Sequence, residues 1–274
     1  MMEFALLASG SKGNCFLLRD NGTAVMIDCG TTKKYLLQSM QKAGYSKEEI
    51  DALLITHDHS DHISQLRHFS DLPVYAPIEL DEADVFLVRP MQSFAVETLK
   101  ITPIALSHDA PNTTGYVFEN GTEKLVYITD TGYVNERYTE LLKGADYIIM
   151  ESNHDVGMLM ATRRPQFLKA RIYSDQGHLN NEDCAAVLDR IVTEKTKMII
   201  LAHLSQEANT RELALETSRR ALLAHKGSLN RNLVLCAAGQ YEIIRKGTGD
   251  EEMDCGTVCC HAGLEHLADS QTAG

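Results

Sequence analysis

Six consecutive residues constrain this chain more than any others: His57-Asp58-His59-Ser60-Asp61-His62. The run follows directly on Ala52-Leu53-Leu54-Ile55-Thr56, an apolar stretch that reads as a buried strand. Neighbours on a strand point to opposite faces, so three imidazoles and the Asp61 carboxylate can act together only on a loop at the strand's end. His nitrogens and carboxylate oxygens are ligand atoms for zinc, manganese or iron, and two pairs of them suit two metals. A solvated His-rich turn is the bland alternative, and the rest of the chain argues against it.

The 274 residues can bury the core of one α/β domain. No apolar run approaches the ~20 residues of a membrane span. Met1-Met2-Glu3-Phe4 lacks the basic start of a signal peptide, so a cytoplasmic protein with no membrane partner is expected. Seven cysteines, an odd and scattered set, fit reduced thiols better than a disulfide framework. The net charge of −12 argues against indiscriminate nucleic-acid binding. Half of it, however, lies after residue 246, where six acids meet no Lys or Arg. Two divalent metals would reduce the remainder to about −2, so a neutral or positive active face is compatible with the composition.

Short strands are predicted at 3–8, 15–19 and 24–28, with Asn21-Gly22 as a hairpin turn. A helix over 33–43 stops at Gly44, and another is predicted over 63–69. Strand-like runs recur at 74–76, 99–105, 116–119, 125–129, 147–151, 198–202, 233–236 and 241–245. Helices are predicted at 156–172, at 182–193 behind an Asn180 or Asn181 cap, and at 210–223. Hairpins first and then strands alternating with helices imply α/β architecture: two mixed sheets with helices on their outer faces. One domain is expected over 1–246, followed by an acidic, mobile tail at 247–274.

Two metals need about seven ligand groups, more than the His-rich loop offers. Candidates stand at the ends of other apolar strands: Asp28 after Val25-Met26-Ile27, His108 after Ile104-Ala105-Leu106-Ser107, Asp130 after Val126-Tyr127-Ile128-Thr129, and His203 after Ile199-Ile200-Leu201-Ala202. Strand ends converge on one rim of a sheet, so five distant segments can meet there.

In this order, Asp28, His57/His59/Asp61/His62, His108, Asp130 and His203 resemble the metallo-β-lactamase superfamily, whose fold is a four-layer αβ/βα sandwich. The resemblance implies that His57, His59 and His108 hold one metal, that Asp61, His62 and His203 hold the second, and that Asp130 bridges them. Asp28 would orient a ligand of the loop from behind. His154 rivals His108; the family order favours His108, which precedes the bridging Asp130.

Flanking residues narrow the resemblance. Ser107-His108-Asp109-Ala110-Pro111 departs from the His-Thr-Pro-Gly-His signature of glutathione-thioester hydrolases, and His59 stands where flavodiiron proteins carry Glu. Glu151-Ser152-Asn153-His154 followed by Gly177-His178-Leu179 resembles the paired Glu and His of tRNA 3′-processing nucleases. The opening Ala8-Ser9-Gly10-Ser11-Lys12-Gly13-Asn14-Cys15, with Thr129-Asp130-Thr131-Gly132-Tyr133, is most similar to the small bacterial YycJ/WalJ branch, described as 5′-to-3′ DNA exonucleases. About 70 residues separate Asp130 from His203, too few for the inserted domain of β-CASP enzymes.

The resemblance implies a binuclear metal-dependent hydrolase, a phosphodiesterase on nucleic acid with DNA favoured over RNA, using Zn²⁺ or Mn²⁺, with Fe²⁺ also suited. Two such ions lower the pKa of a shared water from 15.7 to about 7, giving a bridging hydroxide. Asp61 belongs to this catalytic set as a ligand. His178 would protonate the leaving oxygen, with Glu151 fixing its tautomer, although Gly177-His178 also suits a helix cap. Phosphate contacts are expected from Arg163, Arg164, Lys169 and Arg171, and from Asn14 on the glycine-rich turn. A basic helix face and a glycine turn also have purely structural uses. The same metals would serve a small lactone, thioester or cyclic phosphodiester. A basic groove would mark nucleic acid, a closed apolar pocket a small ligand. A metal-bound module without turnover would lack ligands, and the set here is whole. Cys255, Cys259, Cys260 and His261 match no standard zinc spacing.

Overall fold

Parity along the strands sorts side chains into separate cores. In β1 (Glu3–Ala8), Phe4 and Leu6 enter one apolar cluster while Ala5 and Leu7 enter another. The chain continues through β2 (Cys15–Asp20), β3 (Thr23–Ile27), α1 (Lys33–Lys42), β4 (Ala52–Leu54), α2 (Ser60–Ile63), β5 (Val74–Ala76) and β6 (Val85–Leu87). A second series holds β7 (Phe94–Val96), β8 (Leu99–Ala105), β9 (Thr114–Glu119), β10 (Lys124–Ile128), α3 (Thr139–Leu142), β11 (Tyr147–Glu151) and α4 (Val156–Ala161). It ends with α5 (Gln166–Tyr173), α6 (Asn181–Ile191), β12 (Met198–Ala202), α7 (Arg211–Ala224) and β13 (Val234–Ala237). Strands β14 (Ile244–Lys246), β15 (Met253–Asp254) and β16 (Cys259–His261) follow. The structure, a computed structural model, describes residues 1–247 and the backbone of β15 and β16. The expected mobile tail otherwise lies outside the described residues.

Two eight-stranded sheets result, ordered β15-β14-β1-β2-β3-β4-β5-β6 and β16-β13-β12-β11-β10-β9-β8-β7. Both are mixed: β3 to β6 and β10 to β13 run parallel, and the remaining pairs are antiparallel. Phe4, Phe16 and Ile27 of the first sheet meet Tyr116, Tyr127 and Ile149 of the second in a shared central core. Outside the first sheet, Leu36 and Met40 of α1 pack on Met26 and Leu53. Outside the second, Leu188 of α6 and Leu222 of α7 pack with Ile148 and Ile199. The helix–sheet–sheet–helix sandwich expected from the sequence is the one observed. Tyr116, buried between the sheets, donates its hydroxyl to the Ile55 carbonyl at 2.6 Å and ties the second sheet to the entrance of the His-rich loop.

Departures from the expected elements have local causes. The helix expected over 156–172 is two, α4 and α5, because Pro165 lacks an N–H and disfavours helical backbone in the residue before it. The helix expected over 63–69 is α2 followed by a single 3₁₀ turn at Leu66–His68. Strands β6 and β7 are three residues each, too short to show a period in the sequence. Cys15, Cys29 and Cys184 are free, as reduced thiols would be, but Cys236 is disulfide-bonded, against that expectation. Among the described residues no helix is long and apolar enough to cross a membrane.

Candidate metal centre

The site forms where parallel strands stop. Asp28 follows β3, Asp130 lies just beyond β10 and His203 follows β12, with φ of 58°, 58° and 55°. Left-handed backbone costs a non-glycine residue on the order of 1–3 kcal/mol, tolerated where surrounding contacts hold it. At His203 they do: its N–H donates to Ser9 Oγ at 2.7 Å, and its carbonyl accepts from Asn153 Nδ2 at 2.7 Å. The His-rich loop is pinned just as firmly. Asn14 N–H donates to the Asp61 carbonyl at 2.9 Å and Cys29 N–H to that of His62 at 2.7 Å. A Cβ on Gly30 would come within 1.7 Å of the Asp61 carbonyl oxygen, so only glycine lets the two segments meet.

Four buried histidines share one arrangement. His57 Nδ1 lies 3.0 Å from Thr56 Oγ1, His62 Nδ1 2.8 Å from Asp28, His108 Nδ1 3.0 Å from the Gly177 carbonyl, and His203 Nδ1 2.9 Å from Glu151. With Nδ1 engaged, each imidazole presents Nε2 to the common space, as metal-binding histidines held from behind do. Thr56 reinforces this by donating its hydroxyl to Asp28 at 2.9 Å and its N–H at 2.9 Å. His57 Nε2, His203 Nε2 and Asp130 Oδ2 are buried and have no hydrogen-bond partner. Leaving such atoms unsatisfied costs about 1–3 kcal/mol each.

Donor atoms within 4.8 Å of one another group as His57/His59/His108, Asp61/His62/His203, His57/His62/Asp130 and Asp130/Glu151/His178/His203. Asp130 appears in two of these groups, beside His57 and His62 in one and beside Glu151, His178 and His203 in the other. His154 belongs to none of them: it is buried, with neither ring nitrogen hydrogen-bonded, and its ring centroid is 6.3 Å from that of Tyr173. A donor set of imidazoles and carboxylates such as this suits divalent metal ions.

Charge in the site is self-compensating. Burial would raise the Asp130 carboxyl, but His203 and His62 hold it well below the usual range. Burial would lower His203, yet Asp130 and then Glu151 carry it up to about 9. A metal on its Nε2 replaces that proton. His57 is pushed far down by burial and by His62, which leaves its Nε2 lone pair free.

At the edge of the cluster, Glu151 is fully buried and ionised. Despite burial, His178 and His203 bring its pKa down to about 2. Its Oε1 accepts from His178 Nδ1 at 2.7 Å and its Oε2 from the Thr131 N–H at 2.7 Å. His178 is partly exposed and lines a cleft of about 160 Å³ together with His59, His108, Asp130 and His203.

The expected phosphate contacts separate. Arg171 lines this cleft and is ion-paired with Asp109, and Arg163 is exposed. Arg164 pairs with Glu207 at 2.9 Å. Lys169 is buried, its Nζ donating to the Met160 carbonyl at 2.5 Å, so it closes the end of α4 instead of facing solvent. Asn14 is likewise buried, its Nδ2 2.9 Å from His62 Nε2 and 3.5 Å from Asp61. Sequence reasoning missed Thr56, Ser9, Asn153 and Asp109. Asp109 Oδ1 lies 3.2 Å from His108 Nε2 and 3.8 Å from His59 Nε2. Thr56 and Asp109 each adjoin a ligand candidate in the chain, and that adjacency was the available signal.

Comparison with known proteins agrees with the geometry. Residues 23–204 match the beta-lactamase superfamily domain. The chain is 37% identical over 242 residues to exodeoxyribonuclease YycJ of Bacillus anthracis, covering 82% of this chain and 90% of that protein. It is 34% identical over 230 residues to exodeoxyribonuclease WalJ of Streptococcus pneumoniae, covering 77% and 85%. In fold it is similar to the metallo-β-lactamase fold protein YhfI from Bacillus subtilis, with a TM-score of 0.66 at 16% identity over 89% of this chain and 99% of that one.

Proposed function

Because this chain belongs to the metallo-β-lactamase superfamily, and to the YycJ/WalJ-like branch within it, we propose that it is a binuclear metal-dependent phosphodiesterase that trims DNA from an end. The observation that carries the reading is the set of buried donor atoms without a hydrogen bond, His57 Nε2, His203 Nε2 and Asp130 Oδ2, beside the ionised Glu151 that His178 Nδ1 approaches at 2.7 Å. His57, His59 and His108 would hold one ion and Asp61, His62 and His203 the other, with Asp130 between them. When bound, two divalent ions supply the positive charge that polarises a phosphodiester and acidifies water.

The chain's own groups do the rest. Asp28, held by Thr56, fixes His62 in one orientation. Glu151 stays ionised across the neutral range and occupies His178 Nδ1, so His178 delivers a proton from Nε2 to the departing oxygen. Arg171, at the lip of the cleft, is the cation placed to meet a phosphate, and exposed Arg163 extends the basic surface. A cleft lined by histidines, carboxylates and an arginine suits a phosphodiester better than it suits a small apolar ester. The names of the two relatives favour DNA over RNA.

The test is a nuclease assay with metal-reconstituted protein on 5′-labelled and 3′-labelled DNA and RNA, with Asp61→Ala/His62→Ala protein as the blank. Mononucleotides released from DNA in one direction, and absent in the blank, are the expected result. Turnover of a small ester or cyclic diester with no strand cleaved under Zn²⁺ or Mn²⁺ would replace this reading with small-molecule hydrolysis.

A further inference from the structure

His178 belongs to two cavities. One is the metal cleft; the other, of about 280 Å³, lies between the segment after Asp130 and the end of α5. Tyr133 and Tyr173 line this second cavity, both strongly exposed for aromatic residues at 44% and 52%. Val134, Leu179 and Val187 contribute apolar atoms to a mainly polar lining, in which Asp175 and Asp183 supply carboxylates.

The Tyr133 wall is held by the catalytic machinery itself. Thr131 donates its N–H to Glu151 at 2.7 Å and its hydroxyl to the Tyr133 carbonyl at 2.7 Å. Gly132 packs so closely on the opposite wall that a Cβ there would lie 2.2 Å from the Asp175 carbonyl oxygen. One carboxylate, Glu151, therefore sets both the aim of His178 and the position of Tyr133.

We propose that this cavity seats the nucleoside attached to the leaving oxygen, its base stacked on Tyr133 and Tyr173. The inference rests on the phosphodiesterase reading. A proton passes from His178 to the departing oxygen only over hydrogen-bond distance, so the sugar bearing that oxygen sits against His178. A cleft of about 160 Å³ that already takes the phosphate leaves little room for a nucleoside, and the adjoining cavity is larger. Its electrostatics disfavour a phosphate inside it: Asp175 and Asp183 outnumber a single guanidinium, Arg190, which Glu136 approaches at 4.0 Å. Carboxylates accept from base amino groups or sugar hydroxyls, and tyrosine rings stack on any base, so the subsite binds nucleosides with little sequence preference.

The experiment compares two DNA strands that differ only in whether the nucleotide on the leaving side of the scissile bond carries a base or is abasic. Wild-type protein is expected to prefer the base-bearing strand on the order of tenfold in kcat/KM, the scale of a single base stack. In Tyr133→Ala/Tyr173→Ala protein that ratio falls toward one, while Tyr133→Phe/Tyr173→Phe protein keeps it. Metal content and melting temperature, measured alongside, report on folding. A ratio that survives in the double alanine variant, or equal wild-type cleavage of both strands, overturns the subsite alone. Wild-type protein that cleaves neither strand overturns the phosphodiesterase reading, and the subsite falls with it.

Discussion

The two ends of the parallel strands β10, β11 and β12 bury a glutamate each and use it in opposite ways. At their starts, Glu123 accepts from the Met2 N–H at 2.6 Å, the Tyr147 hydroxyl at 2.8 Å and Lys197 Nζ at 3.2 Å. Lys197 also pairs with Asp146 at 3.3 Å. At their finishing ends, Glu151 accepts from His178, His203 and Thr131, yet His203 Nε2 and Asp130 Oδ2 nearby make no hydrogen bond. Buried polar groups in folded proteins are almost always satisfied from within. The first end follows that rule and closes the fold; the second breaks it around atoms that suit a metal. The difference lies in which neighbouring atoms are left without a hydrogen bond, since both carboxylates are buried and both are ionised.

The largest expected effect comes from removing a group that only the second end needs. Asp130→Ala is predicted to lower kcat/KM on the order of 10³-fold or more, because a carboxylate proposed to hold the metal ions, whose charge would acidify water, is removed. Metal analysis should show fewer than two ions per chain in the same protein. Activity within tenfold of wild type, with two ions retained, would break the comparison at its centre.

Glu151→Gln ranks next, at about 10–100-fold, the range for carboxylates that hold metal-binding histidines from behind. A glutamine keeps the shape but lacks the charge that His178 and His203 answer to. The pH–rate profile should therefore move along with the rate; an unchanged profile would make Glu151 a packing residue like any other. At the opposite end, Glu123→Ala should cost about 2 kcal/mol of stability and lower Tm by about 5 °C, with kcat/KM per folded molecule unchanged. A loss of kcat/KM there would mean that the two ends are coupled.

How much of this was legible in the sequence follows from how each residue is held. His57, His62, Asp130 and His203 could be read because each ends or closely follows an apolar strand, and strand ends in parallel sheets converge. The sandwich was legible for the same reason, since β1, β10 and β11 carry long apolar runs. What a side chain does through a distant partner was not. Arg171 and Asp109 meet across 62 positions, and Tyr133 and Tyr173 share a cavity only because Gly132 lets two loops touch. Lys169 is the instructive case. In the sequence it belongs to a basic helix face, but Pro165 breaks that helix and turns Lys169 onto the Met160 carbonyl.

The smallest expected effect separates the two glutamates by acid titration. Burial would raise the Glu123 carboxyl, but the Met2 N–H, the Tyr147 hydroxyl and Lys197 hold it below its usual 4.5. A carboxyl depressed in the folded state stabilises the fold fully above the unfolded value, and that stability is lost as pH falls through the folded value. Glu123→Gln, which does not titrate, should thus be less stable than wild type at pH 7, and the gap should narrow steadily below about pH 4.5. Urea midpoints measured from pH 7 to pH 3 on metal-free protein test this, because Glu151 and the other carboxyls contribute equally to both curves and cancel in the difference. Parallel curves would show that Glu123 gains nothing from its charge, leaving hydrogen bonds alone to close that end of the sheet.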